Sequence, residues 1–287
     1  MAASLRDLVS EELSQPVDPP VRAMAAAIAA EYGPAARAVL FYGSCLREKQ
    51  LEGLMLDFYL IVSSYREAYG SRLLAAGNRM VPPNVFPFQH GKLAAKYAVL
   101  SEQDFHRLCG PETRSVSVWA RFAQPSRLVW AADDAARGRA VEAVSRAAPT
   151  LLGATLPFAE PSSDPLDLWR QAFALTYSAE LRAERKQRSG SVVDSDPERY
   201  RRFSEAALAA AAPNNASWKR RRLEGKLLSI ARLAKASATF AGGADYIAWK
   251  INRHAGTNIV LKPWQRRWPL LAAISLLPRL LRSGAIR

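Results

Sequence analysis

Residues 39–62 read VLFYGSCLREKQLEGLMLDFYLIV. An apolar run ends in Gly43-Ser44, twelve residues intervene (45 to 56), and Asp57 then stands alone at the head of a second apolar run. The pattern predicts a strand, a tight turn, a short helix and a second strand carrying one carboxylate. Ser44 is a natural helix cap, and free backbone N–H groups at a helix start favour phosphate. Glycine lets the phosphate approach the backbone closely. A carboxylate on the neighbouring strand suits Mg²⁺, which takes carboxylate, phosphate and water oxygens together. The same residues also fit a plain turn that caps a helix, with Asp57 at a strand end.

A two-carboxylate metal site would place its second acid at position 59, because side chains two apart share a strand face. That residue is Tyr59. A single acid argues against an acceptor that must first be deprotonated. A phosphate acceptor needs no base, since its second pKa of about 6 leaves it anionic at neutral pH. It needs positive charge to offset anion–anion repulsion. Lys96, inside the apolar run 93–100, is the natural candidate, although a lysine there also reads as a strand-edge residue.

Outward from this centre, helices are predicted over 21–31, 45–52 (capped by Ser44, ended by Gly53), 65–76 and 101–108, and strands over 38–41, 55–62 and 93–100. Residues 81–84 read as a turn, and 115–122 fit either a strand or a helix. From 133 onward the pattern is helical: 133–152, 166–188, 198–212, 217–240 and 245–253, with loops at 157–165 and 189–197. The expected fold is therefore α+β. A mixed sheet with flanking helices spans 1–130, a mainly helical second domain spans 131–245, and a basic amphipathic segment spans 246–287.

Charge follows the same division. The 287 residues carry a net +14, but residues 1–180 hold 18 Lys/Arg against 19 Asp/Glu, whereas 181–287 hold 22 against 7. A polyanionic partner for the C-terminal part is implied, either an anionic membrane or a nucleic acid. Cys45 and Cys109 form no Cys-x-x-Cys pair, which removes support for a zinc or redox site. Asp7, Glu11 and Glu12 interrupt the N-terminal segment, which does not read as a signal peptide. The longest strongly apolar stretch, 270–277, is far short of the roughly 20 residues that span a bilayer.

Several short segments, in order, resemble the Tam41-type (MMP37) CTP:phosphatidate cytidylyltransferases of the nucleotidyltransferase superfamily. They are Tyr42-Gly43-Ser44, Leu56-Asp57-Phe58-Tyr59, Lys96-Tyr97-Ala98-Val99-Leu100-Ser101, Trp119-Ala120-Arg121-Phe122-Ala123-Gln124-Pro125 and Leu175-Thr176-Tyr177-Ser178-Ala179-Glu180-Leu181-Arg182, spread over roughly 39–185. The chain departs from that pattern at Pro82–Phe86, where the family has a glycine-rich segment, and at Ala98 and Ala179, which replace glycines. The resemblance implies a nucleotidyltransferase domain followed by a winged-helix-like helical domain. It implies CTP and phosphatidate as substrates and Mg²⁺ as cofactor. It places the triphosphate on Tyr42, Gly43 and Ser44 and the metal on Asp57. Lys96 would contact phosphates, Glu180 could complete the metal site, and Arg182 could hold a phosphate. Glu180 and Arg182 equally fit a solvated helix face.

The tail supports a membrane surface over nucleic acid. Trp264, Arg266, Arg267 and Trp268 precede the leucines of 270–281, a composition suited to a bilayer interface, although it also suits a helix packed on the protein's own core. Lys219-Arg220-Arg221-Arg222 reads as a solvated helix face able to hold anionic lipid. No nucleic-acid-reading motif is present, so none is expected as a partner. The expected setting is the inner face of the cell membrane, with the protein peripheral. Two alternatives remain open: a nucleotidyltransferase for another phosphorylated lipid or sugar, and a non-catalytic relative that binds membrane or nucleic acid.

Overall fold

The computed structural model describes residues 3–46, 51, 53–180, 192–215, 217–239, 260–263 and 265. Arg182, residues 47–50, the helix predicted over 245–253 and nearly all of the expected tail, including Trp264 and the leucines of 270–281, lie outside them. In chain order the elements are α1 (Leu5–Ser14), α2 (Pro19–Ala30), β1 (Ala36–Tyr42), β2 (Met55–Val62), α3 (Tyr65–Ala68), α4 (Arg72–Met80), β3 (Asn84–His90), β4 (Leu93–Ser101), α5 (Glu102–Cys109), α6 (Trp119–Phe122), β5 (Ser126–Ala131), α7 (Asp134–Ser145), α8 (Ala147–Thr155), α9 (Pro165–Ala179), α10 (Pro197–Ala209) and α11 (Trp218–Thr239).

The fold is α+β, with one mixed five-stranded sheet in the order β3-β4-β2-β1-β5. β2 runs antiparallel to β1 and parallel to β4, and the edge strands β3 and β5 pair antiparallel with β4 and β1. Both faces of the sheet are covered, which is why β2 and β4 read as near-continuous apolar runs rather than alternating ones. Leu56, Phe58, Leu60 and Val62 pack on one side with Val21, Met24 and Ile28 of α2. Tyr59, Ile61, Ala98 and Leu100 pack on the other, with α5 to α9. Each fully buried side chain of this size contributes about 1.5–3 kcal/mol.

Several predicted elements shift. The helix over 45–52 is, among the described residues, a three-residue 3₁₀ turn at Ser44–Leu46, too short to carry a helix dipole. The helix over 65–76 breaks into α3 and α4, each with its own serine cap (Ser64 and Ser71). That over 133–152 divides at Arg146 into α7 and α8. Within 115–122 only Trp119–Phe122 forms an element, the helix α6, and no strand is formed. β3 and β5 were not predicted: β3 contains Pro87, which a strand tolerates at a sheet edge, and β5 is six residues long. Lys96 is consequently on the second strand from the edge, flanked by β3 and β2.

Two contacts fix the elements that reach the site. Arg199 of α10 donates from Nη2 to Glu12 Oε1 of α1 at 3.0 Å and from Nη1 to the Ala123 carbonyl, just after α6, at 3.0 Å. All three groups are buried, so this ion pair ties α1 and α10 to α6. α11 lies against the end of α9 at Gly225, where any Cβ would collide with the Ala179 carbonyl. Only glycine permits that approach, and it brings the C-terminal half of α11 onto β3.

Candidate active site

Register alone assembles the first part of the site. Tyr42 of β1, Asp57 of β2 and Lys96 of β4 are successive cross-strand partners, forming a row across three strands on the face covered by α5 to α9. The Lys96 ammonium lies 2.7 Å from Asp57 Oδ1. Gly43, at the end of β1, has φ +95°, and a Cβ there would stand 3.2 Å from Asp57 Oδ2. Glycine thus serves a close approach of backbone to carboxylate. The expected trio of Gly43, Asp57 and Lys96 is brought together, with Ser44 opening the 3₁₀ turn beside it.

Tyr59 has a packing role. It is 2% exposed, and its ring lies 5.2 Å from those of both Tyr42 and Phe122. An acid at this position would be buried among rings. Burial, above all, raises the hydroxyl pKa of Tyr59, and burial with the charge of Asp57 raises that of Tyr42, so both stay neutral.

The second part of the site comes from helices. A cavity of about 150 Å³ is lined by Tyr42, Tyr59 and Lys96 from the sheet, Ser117 and Arg121 at α6, and Arg232 and Lys235 of α11. Glu180 is the residue after α9; its backbone is extended, and its side chain turns inward, 8% exposed, with Oε1 3.6 Å from Arg121 Nη1. Burial by itself would lower the pKa of Arg121, but the carboxylates of Glu180 and Asp57 overcome it and hold the guanidinium charged. Arg232 donates from Nε to the Pro82 carbonyl and from Nη1 to Ser117 Oγ, both at 2.7 Å. Lys235 donates to the Val81 carbonyl. Burial, then the charge of Arg232, lowers the Lys235 pKa to about 8.

Glu180 is therefore buried rather than solvated, behind the cavity wall in ion-pair contact with Arg121. Arg182 lies outside the described residues. Arg121, Arg232 and Lys235 were not singled out as site residues from the sequence. Arg121 sits in a segment quoted above for its resemblance, which was a usable signal. Arg232 and Lys235, three apart on one helix face, carry no mark that separates them from the many other cations after residue 180. The cluster 219–222 is mixed: Arg220 is exposed and pairs with Glu224, whereas Arg221 is 2% exposed and donates to the Thr113 and Arg114 carbonyls.

No protein-family model matches the chain, and no curated protein matches it in sequence. Among solved structures, a nucleotidyltransferase-like protein from Exiguobacterium sibiricum 255-15 is similar over 92% of each chain, with 11% identity and a TM-score of 0.28. A likeness that distant carries no argument about chemistry, so the functional reading rests on the residues.

Among the described residues, the four cations that line this chamber (Lys96, Arg121, Arg232 and Lys235) outnumber the two carboxylates that contact them (Asp57 and Glu180), and partial desolvation makes charge interactions there stronger than in water. Cations and N–H donors in such a chamber suit phosphoryl groups. Its volume lies below the roughly 300–1,000 Å³ of pockets that enclose a whole small molecule, so it suits the phosphate end of a ligand. Among the described residues no group of three or more His, Cys, Asp or Glu side chains could cage a metal. A magnesium ion shared between Asp57 and substrate phosphates fits this donor set; an all-protein cage does not.

Proposed function

We propose that the chain is a nucleotidyltransferase that passes a cytidylyl group from CTP to phosphatidate, forming CDP-diacylglycerol and releasing pyrophosphate. The observation that carries this reading is the Asp57–Lys96 pair beside the Gly43 turn, at the edge of a cavity lined by further cations. The choice of CTP and phosphatidate rests on the family resemblance of the sequence.

In this reading Tyr42, Gly43 and Ser44 lie along the triphosphate. Asp57 would hold Mg²⁺, with Glu180 the second carboxylate available to it. The ion would supply charge neutralisation of the phosphates. An oxygen of the acceptor phosphate attacks the α-phosphorus, a new P–O bond forms, the bridging α–β P–O bond breaks, and pyrophosphate leaves with the electron pair. No proton has to be removed, because the acceptor arrives ionised. That accounts for a site with a lysine, rather than a second acid, beside Asp57. Lys96 and Arg121 offset repulsion between the two anions and stabilise charge on the transferring group; Arg182 belongs to the same proposal.

The proposed setting is an anionic membrane surface. Among the described residues no helix is long and apolar enough to cross a membrane, so the association proposed is peripheral.

The test is direct. Purified full chain with CTP, Mg²⁺ and phosphatidate vesicles is expected to release CDP-lipid and pyrophosphate, and Asp57→Asn is expected to lower the rate about 10²-fold or more. Equal activity of the variant would remove Asp57 from the site. If a panel of nucleotides and of phospholipid and phosphosugar acceptors gives no turnover, while vesicles or nucleic acid still bind, the protein is a non-catalytic binder. Another acceptor in the panel would correct the substrate alone.

A further inference from the structure

We infer that Arg232 and Lys235 of α11, with Arg121 and Ser117, form a second phosphoryl-binding subsite, distinct from the Gly43–Asp57–Lys96 edge of the same cavity. The inference deepens the reading above by assigning residues to a second anion, and its test does not require turnover.

Three observations carry it. First, Arg232 is aimed by neutral groups, the Pro82 carbonyl and the Ser117 hydroxyl, which orient the guanidinium without neutralising it. Among the described residues, the carboxylate whose charge Arg232 feels is Glu180, which is already in ion-pair contact with Arg121. Second, Arg232 Nη2 is buried with no hydrogen-bond partner among the described residues. A buried guanidinium N–H left without an acceptor is costly, and a phosphoryl oxygen in the adjoining cavity would accept from it. Third, Arg232 and Lys235, three residues apart on one helix, are brought into partial burial together at the cavity wall, which desolvation and mutual repulsion oppose. An anion between them relieves both effects. The approach is made by Gly225 at the crossing with α9, so this part of α11 is held at the cavity by backbone packing.

The ligand chemistry is a tetrahedral phosphoryl dianion. Arginine offers it a planar fork and lysine a point charge. Two sources share this chemistry: the pyrophosphate end of a nucleotide, and a phosphomonoester acceptor.

The experiment is calorimetric titration of the full chain with inorganic pyrophosphate and, separately, with sn-glycerol 3-phosphate, for wild type, Arg232→Gln and Lys235→Gln. Wild type is expected to bind at least one, and each variant to bind it about tenfold or more weakly, as expected for loss of a charged hydrogen bond. Loss confined to pyrophosphate assigns the subsite to the donor; loss confined to glycerol 3-phosphate assigns it to the acceptor. Arg232 also anchors the Pro82 turn, so Lys235→Gln, with its melting temperature measured alongside, keeps the test decisive if Arg232→Gln does not fold. Wild-type affinity in folded variants, or no binding of either anion at millimolar concentration, overturns the inference. Binding that depends on both residues with no nucleotidyl transfer would leave the subsite standing and remove the proposed function. Transfer and anion binding indifferent to Lys235→Gln would do the reverse.

Discussion

Gly43→Ala separates the two roles of the glycine turn. Residue 43 has φ +95°, where an L-residue costs about 1–3 kcal/mol of backbone strain. At a few degrees of melting temperature per kcal/mol for a chain of this size, the melting temperature should fall by about 2–10 °C. The new methyl also stands 3.2 Å from Asp57 Oδ2, closer than ordinary contact. Asp57 must then yield by a few tenths of an ångström, and with it the carboxylate held 2.7 Å from Lys96 Nζ. A misplacement of about 1 Å at a reacting centre costs roughly 10²-fold, so the proposed cytidylyl transfer should fall about tenfold. Gly53→Ala is the matched control. Gly53 has φ +78°, and a methyl added there would meet no atom within 4 Å, so it carries similar strain with no pressure on Asp57. Melting curves and CDP-lipid formation, measured on both variants below their melting temperatures, decide the matter. Equal activity losses in the two, or full activity in Gly43→Ala, would refute the argument that the glycine serves the carboxylate.

Three further outcomes are expected. Glu12→Gln leaves the buried Arg199 guanidinium without its counter-charge and should cost about 3–5 kcal/mol in urea denaturation. Gly225→Ala forces a methyl into the Ala179 carbonyl, so stability should drop by about 1–3 kcal/mol; anion binding should weaken with it, because α11 is displaced from the cavity. The contribution of Lys235 to pyrophosphate affinity should be flat below about pH 8 and fall by up to tenfold per pH unit above it. The sign follows from Lys235. Burial and then Arg232 lower its pKa to about 8 in the ligand-free cavity, and a bound anion raises it, so binding takes up a proton above that pH. The other groups at the cavity are Lys96, Asp57, Glu180 and Arg121, with Tyr42 and Tyr59, whose raised pKa values keep them neutral through this range. Lys235→Gln should remove the lysine's share of the fall, leaving only the anion's own ionisation, as read by calorimetry between about pH 7 and 9.5, a window that brackets the lysine's titration.

The centre of the site was legible because it is local. Gly43 follows β1 directly and Asp57 lies on the next strand, and the apolar runs around them predicted β2 at its observed bounds, Met55–Val62. Lys96 was legible for a chemical reason: a cation inside an apolar run that must face a charged ligand. The missing acid at Tyr59 was also visible, and the structure supplies its packing cause in the Tyr42 and Phe122 rings. The edge strands were harder to see. β3 and β5 are short and hold their places through pairing with β4 and β1, a contribution that no local pattern records.

The sequence by itself determined the α+β class, the strand–turn–strand unit and the strand from which Asp57 projects, because strand periodicity and turn chemistry act over a few residues. Tertiary structure decided the cationic side of the cavity. Arg121 comes from α6 whereas Arg232 and Lys235 come from α11, and Arg232 is 111 positions beyond Arg121 along the chain. Their charge is ordinary in a basic half of a protein. Which cations face solvent and which face the cavity depends on where α11 crosses α9. That crossing is set by the absence of a side chain at Gly225 and by burial summed over many distant residues, neither of which leaves a periodic trace in the sequence.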